Sequence, residues 1–177
     1  VGGTATFSNN VAAAALDANN TVANITFTGG TNTFSAASTF ANDGTLTFGN
    51  STGDSFTFNG GLNTASVAGT VTLNTSISSS DDALTFGAVT LGNNVTIDTN
   101  STTTNRADIT IAAVTGGSNT LTLTTENNVT GSDVTASGNI SGVTTLTLAS
   151  VGGTATLSAD VDVTTLVAVS YTHLTLP

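Results

Sequence analysis

The sequence carries almost no positive charge and no sulfur. Lys and Arg together occur once in 177 residues, as Arg106, and Cys, Met and Trp are absent. Nucleic-acid binding requires clustered Lys and Arg side chains, so no nucleic-acid partner is expected. Phosphate loops of the Walker type need a Lys, which the chain lacks. Without Cys, the sequence also excludes disulfides, thiolate chemistry and Cys-ligated zinc sites.

Long hydrophobic runs and charged helix formers are equally scarce. The sequence has no apolar run long enough for a transmembrane helix, so none is predicted. Of the charged residues that favour helices, the chain has one Glu, Glu126, one Arg, Arg106, and no Lys. Residues 12–18 form the one stretch that could pass for a short helix. Because the chain begins at Val1 without Met or a leader pattern, it is expected to be an internal fragment whose export signal lies elsewhere.

Thr, Gly and Asn are what the sequence has in abundance, with 40 Thr, 19 Gly and 19 Asn. Short units recur in which one Thr lies between two apolar residues, and turns rich in Gly, Asn and Ser separate them. Alternate side chains of a strand point to opposite faces, so the apolar pair points inward and the β-branched Thr outward. The sequence therefore predicts an all-β protein, and Asn is expected to supply left-handed turn conformations at the corners.

The spacing of these units is regular. One series begins at Leu46, Val71, Val95, Leu121 and Leu146, and a second begins at Leu84, Ile109 and Val134. In both series each unit begins about 25 residues after the one before it, and a fixed period of this size is typical of solenoids. The segment VGGTATFS at 1–8 also returns as VGGTATLS at 151–158, at an apparent offset of six periods. The two interleaved series predict a β-solenoid, with a sandwich of tandem domains as the alternative.

The predicted solenoid covers residues 1–169 in about seven coils of roughly 25 residues. Residues 1–45 fit the period less well, since the step from Ile25 to Leu46 is shorter than the later steps. Residues 170–177, SYTHLTLP, contain the only Tyr, His and Pro of the chain. This break in composition predicts a non-native tail, which resembles a translated sequencing-adapter remnant of metagenomic assemblies, or a boundary with a following domain.

Three segments suggest a family. LTFGAVTLGNNVTIDT at 84–99, LTLTT at 121–125 and GVTTLTL at 142–148 resemble the repeats of giant bacterial surface proteins, namely filamentous-haemagglutinin-like and autotransporter passenger adhesins. The resemblance covers most of residues 20–168. It implies a right-handed parallel β-helix, secretion through a type V system, and a stalk or adhesive role at the cell surface.

Paired acids are the first candidates for chemistry. Asp81 and Asp82 are adjacent, and Asp160 and Asp162 are separated by one residue. Parallel β-helix enzymes that cut acidic polysaccharides use clustered Asp, but they also need a basic partner for the anionic substrate. A chain of net charge −10 would repel such a substrate. The sequence therefore predicts no catalytic residue, no enzymatic activity and no cofactor, and the acids are expected to lie in solvated turns.

Asp108 and Asp133 are candidates for a weak calcium site. They are one period apart in the sequence, so their carboxylates would stack about 4.8 Å apart on successive coils. Like charges at that distance repel each other unless solvent or a cation lies between them. The alternative is two solvated acids near turns.

A Thr ladder is the third candidate. Thr-x-Thr pairs recur at the period, and an Asn-x-Thr fills one rung, which resembles the flat face of solenoid ice-binding proteins. Thr is also the ordinary outward residue of such strands, so the pattern does not single out one face. The predicted ladder consists of Thr45, Thr47, Thr70, Thr72, Thr96, Thr120, Thr122, Thr145 and Thr147.

Taken together, the residues predict a structural or adhesive repeat segment of a large bacterial protein at the cell surface or outside the cell. Host or abiotic surfaces, glycans and neighbouring cells are the expected partners. The alternatives are an ice-binding solenoid and a fragment of a polysaccharide-acting β-helix enzyme. Open coils at both ends would leave backbone edges unpaired, so end-to-end association of the isolated chain is expected.

Overall fold

A computed structural model describes residues 2–20, 23–99, 107–125, 131–169 and 173–176. These residues form short strands joined by turns, and no helix occurs among them. Within the described ranges there is accordingly no helical segment able to cross a membrane. The strands are β1 Thr4–Phe7, β2 Val11–Ala13, β3 Asn24–Phe27, β4 Thr31–Phe34, β5 Ser38–Thr39, β6 Leu46–Phe48, β7 Ser55–Phe58, β8 Leu62–Asn63, β9 Val71–Leu73, β10 Ser76–Ser78, β11 Leu84–Leu91, β12 Val95–Asp98, β13 Ile109–Thr115, β14 Thr120–Thr124, β15 Val134–Ala136, β16 Ile140–Ala149, β17 Thr154–Leu157, β18 Val161–Ala168 and β19 His173–Thr175.

The strands lie in three parallel stacks, and each strand pairs with strands one coil away. The first stack contains β1, β3, β6 and β9, followed by parts of β11, β13, β16 and β18. The second contains β2, β4, β7, β10, β12 and β14, followed by the later parts of β16 and β18. The third contains β5, β8, the early parts of β11 and β13, then β15, β17 and β19.

This topology is a parallel β-solenoid of about seven turns, which confirms the predicted all-β fold. The four longest strands join the stacks. β11 and β13 pass from the third stack to the first, and β16 and β18 pass from the first to the second. Residues 12–18 form no helix, since Val11–Ala13 is a strand. In β19, His173 pairs with Thr154, so the backbone of 173–175 continues the third stack. The non-native or boundary character of 170–177 stays a prediction.

The coils are less uniform in length than the period suggests. The shortest step between paired residues of the first stack joins Val71 to Val89, and the longest joins Val114 to Ile140. The series Leu84, Ile109 and Val134 is confirmed as one stack.

The series that begins at Leu46 and the repeated VGGTAT segment do not each stay on one stack. Leu46 and Val71 lie on the first stack, whereas Val95, Leu121 and Leu146 lie on the second. The two copies of the VGGTAT segment lie on different stacks as well, because their strands are β1 and β17. The offset between the two copies is therefore not a whole number of coils.

Asn side chains join successive coils instead of supplying left-handed turns. Among the described residues, the non-glycine positions with positive φ are Asp81, Ser118 and Ser150, so the expectation for Asn is wrong. Asn119 Nδ2 instead donates to Leu91 O at 3.0 Å, across one coil. Asn side chains can perform this role because their amide both donates and accepts hydrogen bonds.

Candidate functional site

An outward column of hydroxyls runs along the first stack. From β3 to β16 its inward apolar neighbours are buried, so the alternating residues of each strand face outward. Register pairs link each member to the next, and the coils are about 4.8 Å apart along the column. The column consists of Thr6, Thr26, Thr47, Thr72, Thr90, Thr115, Ser141 and Asp162.

The predicted Thr ladder is divided between two stacks, so the prediction of one continuous ladder is wrong. Thr45, Thr47, Thr70 and Thr72 lie on the first stack, and Thr96, Thr120, Thr122, Thr145 and Thr147 lie on the second. The cause is one short coil, through which Thr72 pairs with Thr90 and not with Thr96. The signal was present in the sequence, because Val89, Thr90 and Leu91 form another apolar-Thr-apolar unit soon after Leu84-Thr-Phe.

The second stack carries paired hydroxyls on successive coils. Thr57 Oγ1 and Ser78 Oγ, on neighbouring coils, are 3.3 Å apart and hydrogen bonded. Asp98 takes the place of the outer hydroxyl on one rung, in register with Ser78. The rungs are Thr31 with Thr33, Ser55 with Thr57, Ser76 with Ser78, Thr96 with Asp98, and Thr122 with Thr124.

Asp108 and Asp133 lie on consecutive coils of the third stack, each one residue before a paired strand. The Asp133 N–H donates to Asp108 Oδ1 at 2.8 Å, and the Thr154 N–H donates to Asp133 Oδ1 at 2.8 Å. Each carboxylate therefore satisfies the backbone of the next coil. Calcium takes about six to eight oxygen ligands, whereas no group of three or more His, Cys, Asp or Glu residues is placed for a metal in the described ranges.

Asp81 and Asp82 lie at a tight corner before β11. Asp81 has a left-handed backbone with φ of 65°, and its buried Oδ1 has no hydrogen-bond partner among the described residues. Partial burial, followed by the negative charge of Asp81, raises the pKa of Asp82 above its ordinary value. Ser79 Oγ donates to the Asp82 carbonyl at 2.5 Å and closes this corner.

A groove of about 350 Å³ lies beside this corner, on the outer side of the third stack. We call it the third-stack groove. Its polar lining consists of Ser38, Thr39, Asn63, Asp82 and Thr85, and its small lining residues include Gly61 and Ala83. Sequence reasoning missed it, because the groove depends on which strands pair, with Ser38 beside Leu62 and Leu62 beside Leu84 on successive coils.

The remaining candidates lie apart from this groove. Asp160 and Asp162 lie on the last coils, and Asp162 ends the first-stack column. Arg106 lies outside the described residues. Comparison of the chain with protein-family models, curated proteins and solved structures finds no significant match.

Proposed function

We propose that the chain is a structural and adhesive repeat segment of a large bacterial protein at the cell surface or outside the cell. The observation that carries this proposal is the parallel pairing of the first stack from β1 to β18, with an outward hydroxyl or carboxylate at every coil. Such pairing makes one rod, whose stability is a sum over neighbouring coils. Seven coils at about 4.8 Å give a length of about 34 Å.

The chemistry of the outer surface supports an adhesive role. Hydroxyls both donate and accept hydrogen bonds, so the columns match glycans and hydrated abiotic surfaces equally well. The net charge of −10 opposes non-specific clumping of the rods. A repeated surface offers many weak contacts at once, and such contacts together give strong attachment.

A display assay tests the adhesive proposal. The chain is anchored on a non-adherent bacterium, and the cells retained on glass, polystyrene and cultured epithelial cells are counted after washing. We expect retention above that of cells displaying Leu121→Asp, a variant expected to unfold because its buried position receives a charge. Equal retention by the two strains on every surface would contradict the proposal.

The two ends of the rod supply a further expected contact. Phe7, Val11 and Leu16 are only partly buried at one end. At the other end, Val161 and Leu166 line an open cavity of about 320 Å³. Apolar ends with unpaired strand edges favour end-to-end association of the isolated chain. Analytical ultracentrifugation should show species larger than the 17.3 kDa monomer, and a single monomeric species with cooperative melting would contradict this expectation.

Ice binding is the second candidate, and the paired hydroxyls of the second stack favour it. Thr31 with Thr33 and Ser55 with Thr57 place two hydroxyls on each of two successive coils. Inhibition of ice recrystallisation at micromolar protein would support this function. Thr57→Lys should then abolish the inhibition while Thr110→Lys, on the third stack, retains it. No inhibition by the unaltered chain would remove this candidate.

The enzymatic alternative requires several acids around one concave site. Asp82 is the one acid that lines the third-stack groove, and Asp160 lies several coils away. Glycoside hydrolysis uses a pair of carboxylates on the two sides of the scissile bond. This groove does not supply such a pair, so the geometry favours a binding role over hydrolysis.

A further inference from the structure

We propose that the third-stack groove binds a short stretch of neutral or amino-sugar carbohydrate. The inference deepens the adhesive function proposed above and rests on it. The groove is about 350 Å³ in volume, which lies at the lower end of the range for small-molecule sites.

The groove exists because three consecutive coils carry small residues at one register position. Ala37, Gly61 and Ala83 each precede a paired residue of the third stack. At the same position the following coils carry Asp108 and Asp133, which are larger. The column of side chains thus has a gap three coils long, and the gap forms the floor of the groove.

The floor is fixed by the backbone as well as by the sequence. Gly61 has φ of +90°, a left-handed conformation that other residues rarely adopt. A Cβ on Gly60 would overlap the backbone of Ala36 and Ala37, so no side chain fits there. The groove is therefore held open in the folded chain and does not depend on a rearrangement of side chains.

The walls supply both donors and acceptors. Asn63 Oδ1 accepts the Ala65 N–H at 2.9 Å, which orients the amide and leaves its Nδ2 as a donor for a ligand. The hydroxyls of Thr39 and Thr85 line the groove on either side of Asn63 along the stack. Sugar hydroxyls also donate and accept, so this inventory matches a polyol better than an apolar ligand.

Asp82 sets the charge preference of the site. A carboxylate accepts hydrogen bonds from two neighbouring hydroxyls, or pairs with an ammonium group. Asp81 lies beside it, and the residues that line the groove include no cationic side chain. Acidic sugars are therefore repelled, whereas neutral and amino sugars are accepted. The raised pKa of Asp82 agrees with a carboxylate that is partly withdrawn from water.

Calorimetric titration of the 177-residue chain tests the proposal with three tetrasaccharides: cellotetraose, the chitosan tetramer and tetragalacturonate. We expect the first two to bind and tetragalacturonate to bind at least about tenfold more weakly, which corresponds to about 1.4 kcal/mol. Thr85→Ala should weaken binding of the first two roughly two- to tenfold, because it removes one hydrogen bond. Thr110→Ala is the matched control, since Thr110 occupies the next rung of the same column outside the groove.

A second variant pair fills space instead of removing a contact. Ala83→Phe blocks the groove and should abolish binding. Ala88 is another exposed alanine, and it lies within β11, outside the groove. Ala88→Phe should therefore leave binding unchanged. Melting curves of the variants identify any that fail to fold. Asp82→Asn should raise the affinity for tetragalacturonate roughly two- to tenfold by removing the repulsion.

Three outcomes would overturn the inference. The first is the absence of binding to all three tetrasaccharides. The second is binding that Thr85→Ala and Ala83→Phe leave intact, and the third is equal affinity for tetragalacturonate. The display assay separates this failure from failure of the adhesive function. Cells that still adhere when they display Ala83→Phe would show adhesion through another surface, whereas cells that never adhere would remove both proposals.

Discussion

Phe and aliphatic side chains together fill the coils of the first half, and aliphatic side chains alone fill those of the second. All eight Phe residues lie between positions 7 and 86. Phe27 stacks between Phe7 and Phe48, with ring centroids 4.8 and 5.6 Å apart, and Phe34 stacks on Phe58 at 4.8 Å. Beyond position 86 the fully buried positions carry residues such as Ile111 and Leu123. Outward hydroxyls occur in both halves, with Asp98 and Asp162 in their place on two rungs.

Coil length varies in both halves. In the aliphatic half, the step from Ile109 to its partner Val134 equals the step from Leu121 to its partner Leu146, but the step from Val134 to its partner Ala155 is shorter. In the Phe half the steps vary on the first stack alone. Parallel pairing requires the strands to remain in register, but it leaves the corner loops free to vary. The solenoid is therefore defined by its register and not by a constant repeat length.

A charge introduced into the interior of either half should produce the largest loss of unfolding free energy. Leu121→Asp and Phe58→Asp each put an unpaired charge at a fully buried position, so each should cost more than about 4 kcal/mol of unfolding free energy. The outward neighbours supply the controls, since Thr122→Asp and Thr57→Asp should change stability by about 0.5 kcal/mol or less. Urea unfolding followed by circular dichroism measures both. A folded Leu121→Asp variant would show that the aliphatic half lacks a fixed interior.

Replacing one buried side chain of each half by Ala compares how much the two interiors contribute to stability. Phe27→Ala should destabilise by about 3–5 kcal/mol, and Leu123→Ala by about 2–5 kcal/mol. The Phe variant should cost more, because ring pairs contribute about 0.5–1.5 kcal/mol each beyond buried area and Phe27 contacts several rings. The two losses of unfolding free energy are compared from the denaturant concentrations at the midpoints of unfolding, provided that the variants share the same dependence of unfolding free energy on denaturant. A smaller loss for Phe27→Ala would mean that the ring stack is not tightly packed.

Buried hydroxyls close the corners after the second stack. Thr125 Oγ1 donates to Ser132 O at 3.1 Å and accepts the Gly152 N–H at 3.0 Å. Thr125→Val leaves the buried Gly152 N–H without its acceptor, whereas Ser132 O still accepts the Gly153 N–H, so the variant should cost about 1–3 kcal/mol. The control is Thr124→Val, whose side chain faces outward and should change stability by less than about 0.5 kcal/mol. Equal losses in thermal unfolding would contradict a specific role for the buried hydroxyl.

The fold was predictable from the sequence because burial alternates along each strand. The alternation of apolar residues and Thr predicts which side chains face inward and which face outward without tertiary information, as in Ile109-Thr110-Ile111 and Leu121-Thr122-Leu123. Assignment to a stack was not predictable, because it depends on coil length. Val89-Thr90-Leu91 repeats the apolar-Thr-apolar pattern in the sequence, but the pattern does not indicate that Val89 pairs with Val71 until the strands are aligned. The third-stack groove was hidden for the same reason, since it joins residues from three coils.

The coil-joining Asn and Asp residues provide a further comparison between the halves. Asn24 Oδ1 accepts the Thr45 N–H at 2.9 Å in the Phe half, and Asp133 Oδ1 accepts the Thr154 N–H at 2.8 Å in the aliphatic half. An amide thus performs the role of the carboxylate. In thermal unfolding, Asp133→Asn should be nearly neutral, whereas Asp133→Ala should cost about 0.5–1.5 kcal/mol by removing the acceptor.

Millimolar calcium tests the alternative role of Asp133. If the carboxylate serves only the backbone, calcium should shift neither the melting temperature of the unaltered chain nor that of Asp133→Asn. A rise in melting temperature that is seen in the unaltered chain and lost in Asp133→Asn would instead assign a cation to Asp108 and Asp133. The amide variant makes this distinction because it keeps the hydrogen bond and removes the charge.

The smallest expected effect is at Asp82. Because its folded pKa is raised above 3.8, the folded state holds its proton more tightly than the unfolded state does. Its stabilising contribution is therefore complete below the unfolded pKa, and it is lost as the pH rises through the folded pKa. Water screens this partly exposed group, so Asp82→Asn should match the unaltered chain near pH 3 and be more stable at pH 7 by only about 0.5 kcal/mol or less. Melting temperatures across this range would contradict the assignment if the variant were less stable at pH 7.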